Sequence, residues 1–269
     1  LLTGEIDMIE QPVIELLPLL EKDKNIEVID FNPLGLQYSL RFNVLHKPFD
    51  NARIRQAALY ALNQKDVLLS AINDPKYFKE CKALFICGTP FATDKGFEDK
   101  LNSDFVKSKQ ILKEEGYDGT SVVLLYATDT NTGRTTPVIK SLLEQGGFKV
   151  DMQAMDWQTV LSRRARKEPL DKGGWSGFMT AWVSADLLDP IVSSIGWPCD
   201  EKLEKLRDEF ARTTDPARRK ELAEAVQVRV SEYPTHAHLG QYNIPVARRK
   251  NVTGNLEAPA PVFWNVKKQ

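Results

Sequence analysis

The fold is decided between Ser121 and Gln153. This segment opens with Ser121-Val122-Val123-Leu124-Leu125-Tyr126, a short apolar run of strand length, and closes with a second strand, Phe148-Lys149-Val150-Asp151-Met152-Gln153. A helix lies between them. Thr136 is placed to cap it, Pro137 suits its first turn, Val138, Ile139, Leu142 and Leu143 form one apolar stripe, and Gly146-Gly147 ends it. Strand, helix and strand in that order make a β-α-β unit. Such a unit calls for a parallel sheet with helices on its faces, so the expected class is α/β.

Reading outward from this unit, the same alternation continues. Upstream, Tyr38-Ser39-Leu40-Arg41-Phe42-Asn43 alternates with period two and reads as a strand with one buried face. Lys47-Pro48-Phe49-Asp50-Asn51 supplies a breaker and a cap. Ile54, Ala57, Ala58, Ala61 and Leu62 then recur at helical spacing through Asn63. Residues 73 to 100 hold Pro75, Gly88, Pro90 and Gly96 and read as an ordered loop. Downstream, Asp156-Trp157 to Lys167 is helical and Trp175 to Trp182 is strand-like. Leu203, Leu206 and Phe210 mark a helix from near Asp200, and Asp215-Pro216 caps another whose stripe is Leu222, Ala225, Val226 and Val230. From His236 onward the tail returns to strands and loops.

Composition narrows the function classes. The chain has 269 residues, 42% of them hydrophobic, enough for a sizeable core. Lys and Arg total 36 against 37 Asp and Glu, so no global field draws nucleic acid or an anionic membrane. The longest apolar runs, such as Val122 to Ala127, fall far short of the roughly 20 residues a spanning helix needs. The chain starts abruptly at Leu1-Leu2-Thr3-Gly4-Glu5-Ile6-Asp7, inside an amphipathic pattern and without an initiator Met, and so reads as a fragment. Cys81 and Cys87 enclose a tight loop that suits either a disulfide or a pair of buried thiols, with Cys199 left over.

Signatures of catalysis and metal binding are weak. Gly174-Trp175-Ser176-Gly177 is one residue short of the spacing of a nucleophile elbow. His236 and His238 share a strand face, but no Cys, Asp or Glu adjoins them and His46 is distant, so they read as satisfied or exposed histidines rather than metal ligands. The basic runs Arg163-Arg164-Ala165-Arg166-Lys167, Arg218-Arg219-Lys220 and Arg248-Arg249-Lys250 read as solvated surface. No phosphate-binding glycine loop is present, and no cofactor is implied.

Several segments resemble the family 5 extracellular solute-binding proteins, the peptide and oligopeptide receptors of bacterial ABC importers. They are Leu2-Thr3-Gly4-Glu5-Ile6-Asp7, Leu40-Arg41-Phe42-Asn43, Lys47-Pro48-Phe49-Asp50-Asn51 through Ala57, Ser108 to Tyr117, Asp156-Trp157, and Asp189-Pro190 after the tryptophan strand. The resemblance covers almost the whole chain. It implies a type II periplasmic-binding-protein fold, with this chain supplying the C-terminal lobe and part of the first lobe. Residues 1–37 would then belong to the first lobe, 38–240 would form the C-terminal lobe with its ligand-facing cleft, and 241–269 would return to the first lobe. Hinge crossings are expected near Tyr38 and Gly240. The rest of the protein would lie upstream of Leu1, and the location would be periplasmic, or extracellular and membrane-anchored in the full-length protein.

Function follows as an expectation: a non-enzymatic receptor that closes on a peptide or other small solute and presents it to the permease subunits. The alternatives are a hydrolase using a carboxylate or Ser176, or an isolated lobe that binds nothing by itself. In peptide-binding relatives an aspartate three residues before the Asp-Pro pair meets the ligand's α-ammonium group, and that position here is Asp186. A turn cap and an internal salt bridge are its other possible roles. Asp189 reads as a turn or N-cap residue. Trp182 can stack on ligand or belong to the core. Arg41 can meet a ligand carboxylate or an internal anion. Tyr38 and Ser184 complete the expected ligand-binding set; alternation places Tyr38 and Arg41 on opposite faces.

Overall fold

The computed structural model describes residues 1–192, 200–260 and 262–269; Cys199 lies outside them. In chain order the strands are β1 (Met8–Ile9), β2 (Ile26–Ile29), β3 (Leu36–Phe42), β4 (Phe78–Lys79), β5 (Val122–Ala127), β6 (Val150–Met155), β7 (Gly177–Val183), β8 (His236–Tyr242), β9 (Val246–Arg249), β10 (Val252–Thr253) and β11 (Lys267–Lys268). The helices are α1 (Leu17–Leu20), α2 (Ala52–Ala61), α3 (Gln64–Ile72), α4 (Phe105–Glu114), α5 (Thr136–Gln145), α6 (Trp157–Arg164), α7 (Glu201–Arg212) and α8 (Pro216–Glu232).

Two sheets carry the architecture. A six-stranded sheet has the order β4-β8-β3-β7-β5-β6, and a three-stranded sheet, β1-β9-β2, joins segments from both ends of the chain. The β-α-β unit is present as expected, with β5 parallel to β6 and also to β7. The rest of the large sheet is antiparallel: β3 pairs with β7 and β8, and β8 with β4. The sheet is therefore mixed rather than parallel, because only β5, β6 and β7 are joined by helical crossovers.

Local chemistry accounts for the helix starts. The side chains of Asn51, Asn63, Asp104, Asp156, Asp200 and Asp215 each accept a backbone N–H at the start of a helix. Thr136 departs from its expected role. It is the first residue of α5, no side-chain cap hydrogen bond precedes it, and its own hydroxyl has no partner. Pro137 alone sets that turn, having no N–H to satisfy.

One face of the large sheet is apolar. Tyr38, Leu40 and Phe42 of β3, with Leu124 of β5, pack against Ala58, Leu68, Ile111 and Leu143 of α2, α3, α4 and α5. On the opposite face, α6 covers the β5 side through Val160, packed with Val123, Leu125 and Phe178. At β3 and β8 that second face is polar yet buried: Gln37, Ser39, His236, His238 and Gln241 are each at most 1% exposed. Cross-strand register sets Ser39 beside His238 and Arg41 beside His236.

A bulge produces this distribution. The register of β3 against β8 shifts between Gln37 and Ser39, which leaves an extra residue on β8 near Gly240. Gly240 has φ +96°, and a β-carbon there would meet Leu68 Cδ1 at 2.5 Å, so only glycine fits. The extra residue reverses the alternation beyond it. Gln241 thereby joins the polar face, and Tyr242 turns to the core and stacks on Tyr38 at 3.9 Å between ring centroids.

The loop after β4 is stapled by a disulfide between Cys81 and Cys87, which resolves the two readings of that pair. It is also bolted from the side: Gln64 donates to the Cys81 carbonyl at 2.7 Å, and Leu84 and Cys87 donate their N–H groups to Gln227 and Gln241 at 2.7 and 2.9 Å. His238 makes a 2.8 Å hydrogen bond to the Lys82 carbonyl, and Thr235 bonds His236 Nδ1 at 2.9 Å. The second ring nitrogen of each histidine has no partner among the described residues. No group of three or more His, Cys, Asp or Glu able to hold a metal occurs among the described residues.

Two outcomes follow for stability. A bridge spanning six positions stabilises by about 2 kcal/mol on the chain-entropy estimate, so Cys81→Ser with Cys87→Ser lowers the urea-derived unfolding free energy by about that amount. Burial pushes His238 down to about 4 and His236 well below the ordinary imidazole value. The unfolded chain takes up protons on these rings below about pH 6.5 whereas the folded one resists them. Stability is therefore full above that pH and declines as pH falls toward 4. Urea titrations between pH 7 and pH 5 should show a loss of about 2 kcal/mol attributable to His238, and that part of the slope should vanish in His238→Gln.

Candidate functional site

The strands β5, β6 and β7 run parallel, so their carboxyl ends share one edge of the sheet. Helices α5 and α6 leave on opposite faces, as their separate packing clusters show. Loops that part in this way open a crevice at the carboxyl edge, the usual ligand position in sheets of this kind. A hollow lined by Tyr126, Asp129, Thr130, Gly133 and Arg134 follows β5, and Asp186 and Asp189 follow β7. Because β3 is antiparallel to β7, the amino end of β3 lies at this same edge, and with it the passage to the small sheet.

That passage is tied by a dense set of hydrogen bonds. Ser184 donates its hydroxyl to the Leu34 carbonyl at 2.7 Å, and the Gln241 amide donates to the same carbonyl at 3.3 Å. Asn243 reaches back to Asp30 Oδ2 and the Asn32 carbonyl at 2.5 and 2.9 Å. Gly35 has φ +68°, and a β-carbon there would meet the Tyr242 carbonyl oxygen at 2.4 Å. Arg134, in the loop after β5, makes a 2.9 Å ion pair with Glu15, beside α1. A second hollow, between the sheets, is lined by Phe31, Asn32, Leu36, Val183, Ile244 and Val246.

The residues expected from sequence separate into two groups. Asp186 is exposed, in the turn directly after β7, and its carboxylate has no hydrogen bond or ion pair with any described residue. It does not cap that turn. Asp189 does what was expected of a turn residue, accepting from the Ile191 and Val192 N–H groups at 2.7 and 3.2 Å. Trp182 is half-buried, and the Arg41 guanidinium carbon lies 5.4 Å from its ring centroid. Tyr38 and Ser184, in contrast, are fully buried, the first in the Tyr242 stack and the second in the Leu34 hydrogen bond. Ser176 is also enclosed, its hydroxyl accepting from the Val123 N–H at 3.0 Å and its own N–H donating to the Val123 carbonyl at 2.8 Å.

Three residues, two after β5 and one at the end of α6, were not singled out from sequence. Asp129 accepts the Trp157 N–H at 2.9 Å at the start of α6, and Arg134 reaches Glu15. Their signal was positional, since both follow the first strand of the β-α-β unit. Arg164 is the third. Its run was expected to be solvated, yet Arg163 donates to Gln153 Oε1 at 2.6 Å and Arg164 turns over Trp157 and Phe178.

Comparison with known proteins places this geometry. The family model for bacterial extracellular solute-binding proteins, family 5 Middle, matches residues 1–201. A probable peptide ABC transporter periplasmic-binding protein, y4tO of Sinorhizobium fredii, is 34% identical over 99% of this chain and 52% of its own length. The glutathione-binding protein GsiB of Escherichia coli strain K12 is 27% identical over 94% of this chain and 51% of its own. Among solved structures, the periplasmic binding protein DppA from Helicobacter pylori, in complex with peptide STSA, superposes with a TM-score of 0.81 at 21% identity, over 100% of this chain and 54% of that one. The dipeptide-binding protein from Pseudoalteromonas sp. SM9913, in complex with Met-Leu, gives 0.80 at 19% identity, over 100% and 55%. The chain spans about half the length of the curated relatives it matches. With most of its length matched by the family model and its fold shared with solved peptide-binding proteins, the chain belongs to the bacterial extracellular solute-binding proteins of family 5.

Proposed function

We propose that this chain is part of a solute receptor of an ABC importer, one that takes up peptide at the carboxyl edge of the large sheet and presents it to membrane permease subunits. The C-terminal lobe in this reading is the six-stranded sheet with its helices, from Leu36 of β3 to Tyr242 of β8, two residues wider at each end than the 38–240 expected from sequence, because Leu36, Gln37, Gln241 and Tyr242 are paired within that sheet. The segments before and after it belong to the first lobe, which the remainder of the protein completes. The location is periplasmic or extracellular, in keeping with the relatives' names; no helix among the described residues is long and apolar enough to cross a membrane.

One observation carries the proposal: Asp186 is exposed in the turn after β7, and its carboxylate is unpaired among the described residues. The helix-starting aspartates Asp104, Asp156, Asp200 and Asp215 spend their charge on backbone N–H groups. Asp186 is left available to a cation. Opposite charges about 4 Å apart gain roughly 1 kcal/mol in water and about 4 kcal/mol at the effective dielectric of a protein surface, so closing a second lobe over the pair strengthens it. Trp182, half-buried near the end of the same strand, offers a flat apolar wall, and Arg41 offers positive charge beside it. Tyr38 and Ser184 support the crossing between lobes in this conformation. Closure is a rotation about the segments near 30–36 and 242–246.

The test compares a peptide with its N-acetylated form by calorimetry on the full-length protein. Wild type should lose at least tenfold in affinity on acetylation. Asp186→Asn should bind the free-amine peptide at least tenfold more weakly and show no preference between the two forms. Unchanged affinity in the variant would contradict the role. Recovered peptide should be chemically intact by mass spectrometry; consumption would favour a hydrolase.

A further inference from the structure

Residues 81–87 belong to no helix or strand, yet the loop they form is deeply enclosed. Ala83, Leu84, Phe85 and Ile86 are each at most 2% exposed, and the Cys81–Cys87 disulfide closes the loop. Side chains from elsewhere take up the backbone groups that a sheet would otherwise satisfy. Gln64 accepts from the Cys81 N–H at 2.8 Å and donates to its carbonyl. Gln227 accepts from the Leu84 N–H and donates to the Lys82 carbonyl at 3.1 Å.

Two N–H groups of this loop lead toward the proposed binding edge. Ile86 donates to the Leu187 carbonyl at 3.2 Å, at the end of the turn that carries Asp186. Cys87 donates to Gln241, whose amide continues to the Leu34 carbonyl. From Leu34 the chain of contacts returns to the same turn, because Ser184 donates its hydroxyl to Leu34 and its N–H to the Gly35 carbonyl at 3.1 Å. The hydrogen bonds thus make a closed circuit, from Leu34 through Ser184 and the turn to Leu187, across to Ile86 and Cys87, and back through Gln241. Exposed Asp186 stands between the two points at which its turn is held, Ser184 and Leu187, both of them buried. The turn has no side-chain cap of its own, so its position comes from these two holds.

We infer that the disulfide-closed loop is a positioning element of the binding site: with Gln241 it braces the turn after β7 and fixes the Asp186 carboxylate before ligand arrives. The inference rests on the receptor reading of Asp186 and deepens it, since it names what holds that carboxylate in place. A group fixed in advance loses less freedom on binding, and the attraction between opposite charges falls as their separation grows. Opening the bridge returns conformational freedom to the loop, and the slack reaches the turn through the Ile86–Leu187 hydrogen bond. Asp186 then spends part of its time away from the place where it meets an ammonium group.

Calorimetry on the full-length protein, with Ala-Ala-Ala and its N-acetyl form as probes, reads this placement. Cys81→Ser with Cys87→Ser should lower the affinity for the free-amine peptide by about fivefold relative to the acetylated one, and so remove most of the wild-type preference. Lower stability in a protein that remains folded would weaken both peptides alike or neither, so the split between them separates positioning from stapling. Should the double variant not fold, judged by its circular dichroism melt, Gln241→Leu keeps the bridge, breaks the tie between Cys87 and Leu34, and should show the same selective loss. Full preference for the free amine in the folded variant, or equal weakening of both peptides, overturns the positioning role while leaving Asp186 as the ligand's partner. Absence of the preference in wild type removes the Asp186 reading, and this inference with it.

Discussion

The antiparallel pairing of β3 with β8 is the constraint on which the molecule depends. These strands are distant in sequence, yet Leu36 lies opposite Tyr242 and Arg41 opposite His236. Once paired, they bring both passages between the sheets side by side, and the hydrogen bonds of Ser184, Gln241 and Asn243 lock them at Leu34, Asp30 and Asn32. The Tyr38–Tyr242 stack fills the core directly beneath. Two adjacent connections of this kind suit the rotation that the proposed receptor role requires. Long-range pairing of this kind also closes a large loop, at an entropic cost that the buried face of β8 must offset.

The bulge at Gly240 links that pairing to the chemistry of the second face. Without the extra residue, Gln241 would point into the apolar core, where its amide would lack partners. With it, Gln241 accepts from Cys87 and donates to Leu34, so one side chain joins the disulfide loop to the crossing. The polar groups buried on this face are thus a consequence of register. The same register sets Arg41 beside His236 on one side and Phe178 on the other, with its guanidinium over the Trp182 ring.

Much of this was legible in the sequence, and the boundary is physical. Elements specified by nearby residues were readable: the β5-α5-β6 unit, the helix starts near Asp156 and Asp200, the Asp215 cap before α8, and the glycine pair after α5 are all short-range chemistry. Thr136 was displaced by one position because Pro137 fixes the turn without needing a cap. Strand order was not readable, since nothing local records that β3 and β8 meet or that β7 runs antiparallel to β3. Alternation correctly separated Tyr38 from Arg41 but could not say which face was core. In the candidate site, Asp186 and Asp189 were distinguishable as carboxylates with different duties, and only the fold showed that, among the described residues, Asp189 is satisfied and Asp186 is not. Arg164 was hidden in a run of basic residues, because composition does not tell which member of such a run turns inward.

In the proposed receptor, ligand is held at the carboxyl edge of β5, β6 and β7, with Asp186 at its rim. The decisive measurement is a crystal structure of the full-length protein with its co-purified ligand. Ligand density is expected between the loops after β5 and β7, with a cationic group within hydrogen-bonding distance of the Asp186 carboxylate and the first lobe closed over it. Ligand seated at the opposite edge of the sheet, with Asp186 still facing bulk water, would contradict it.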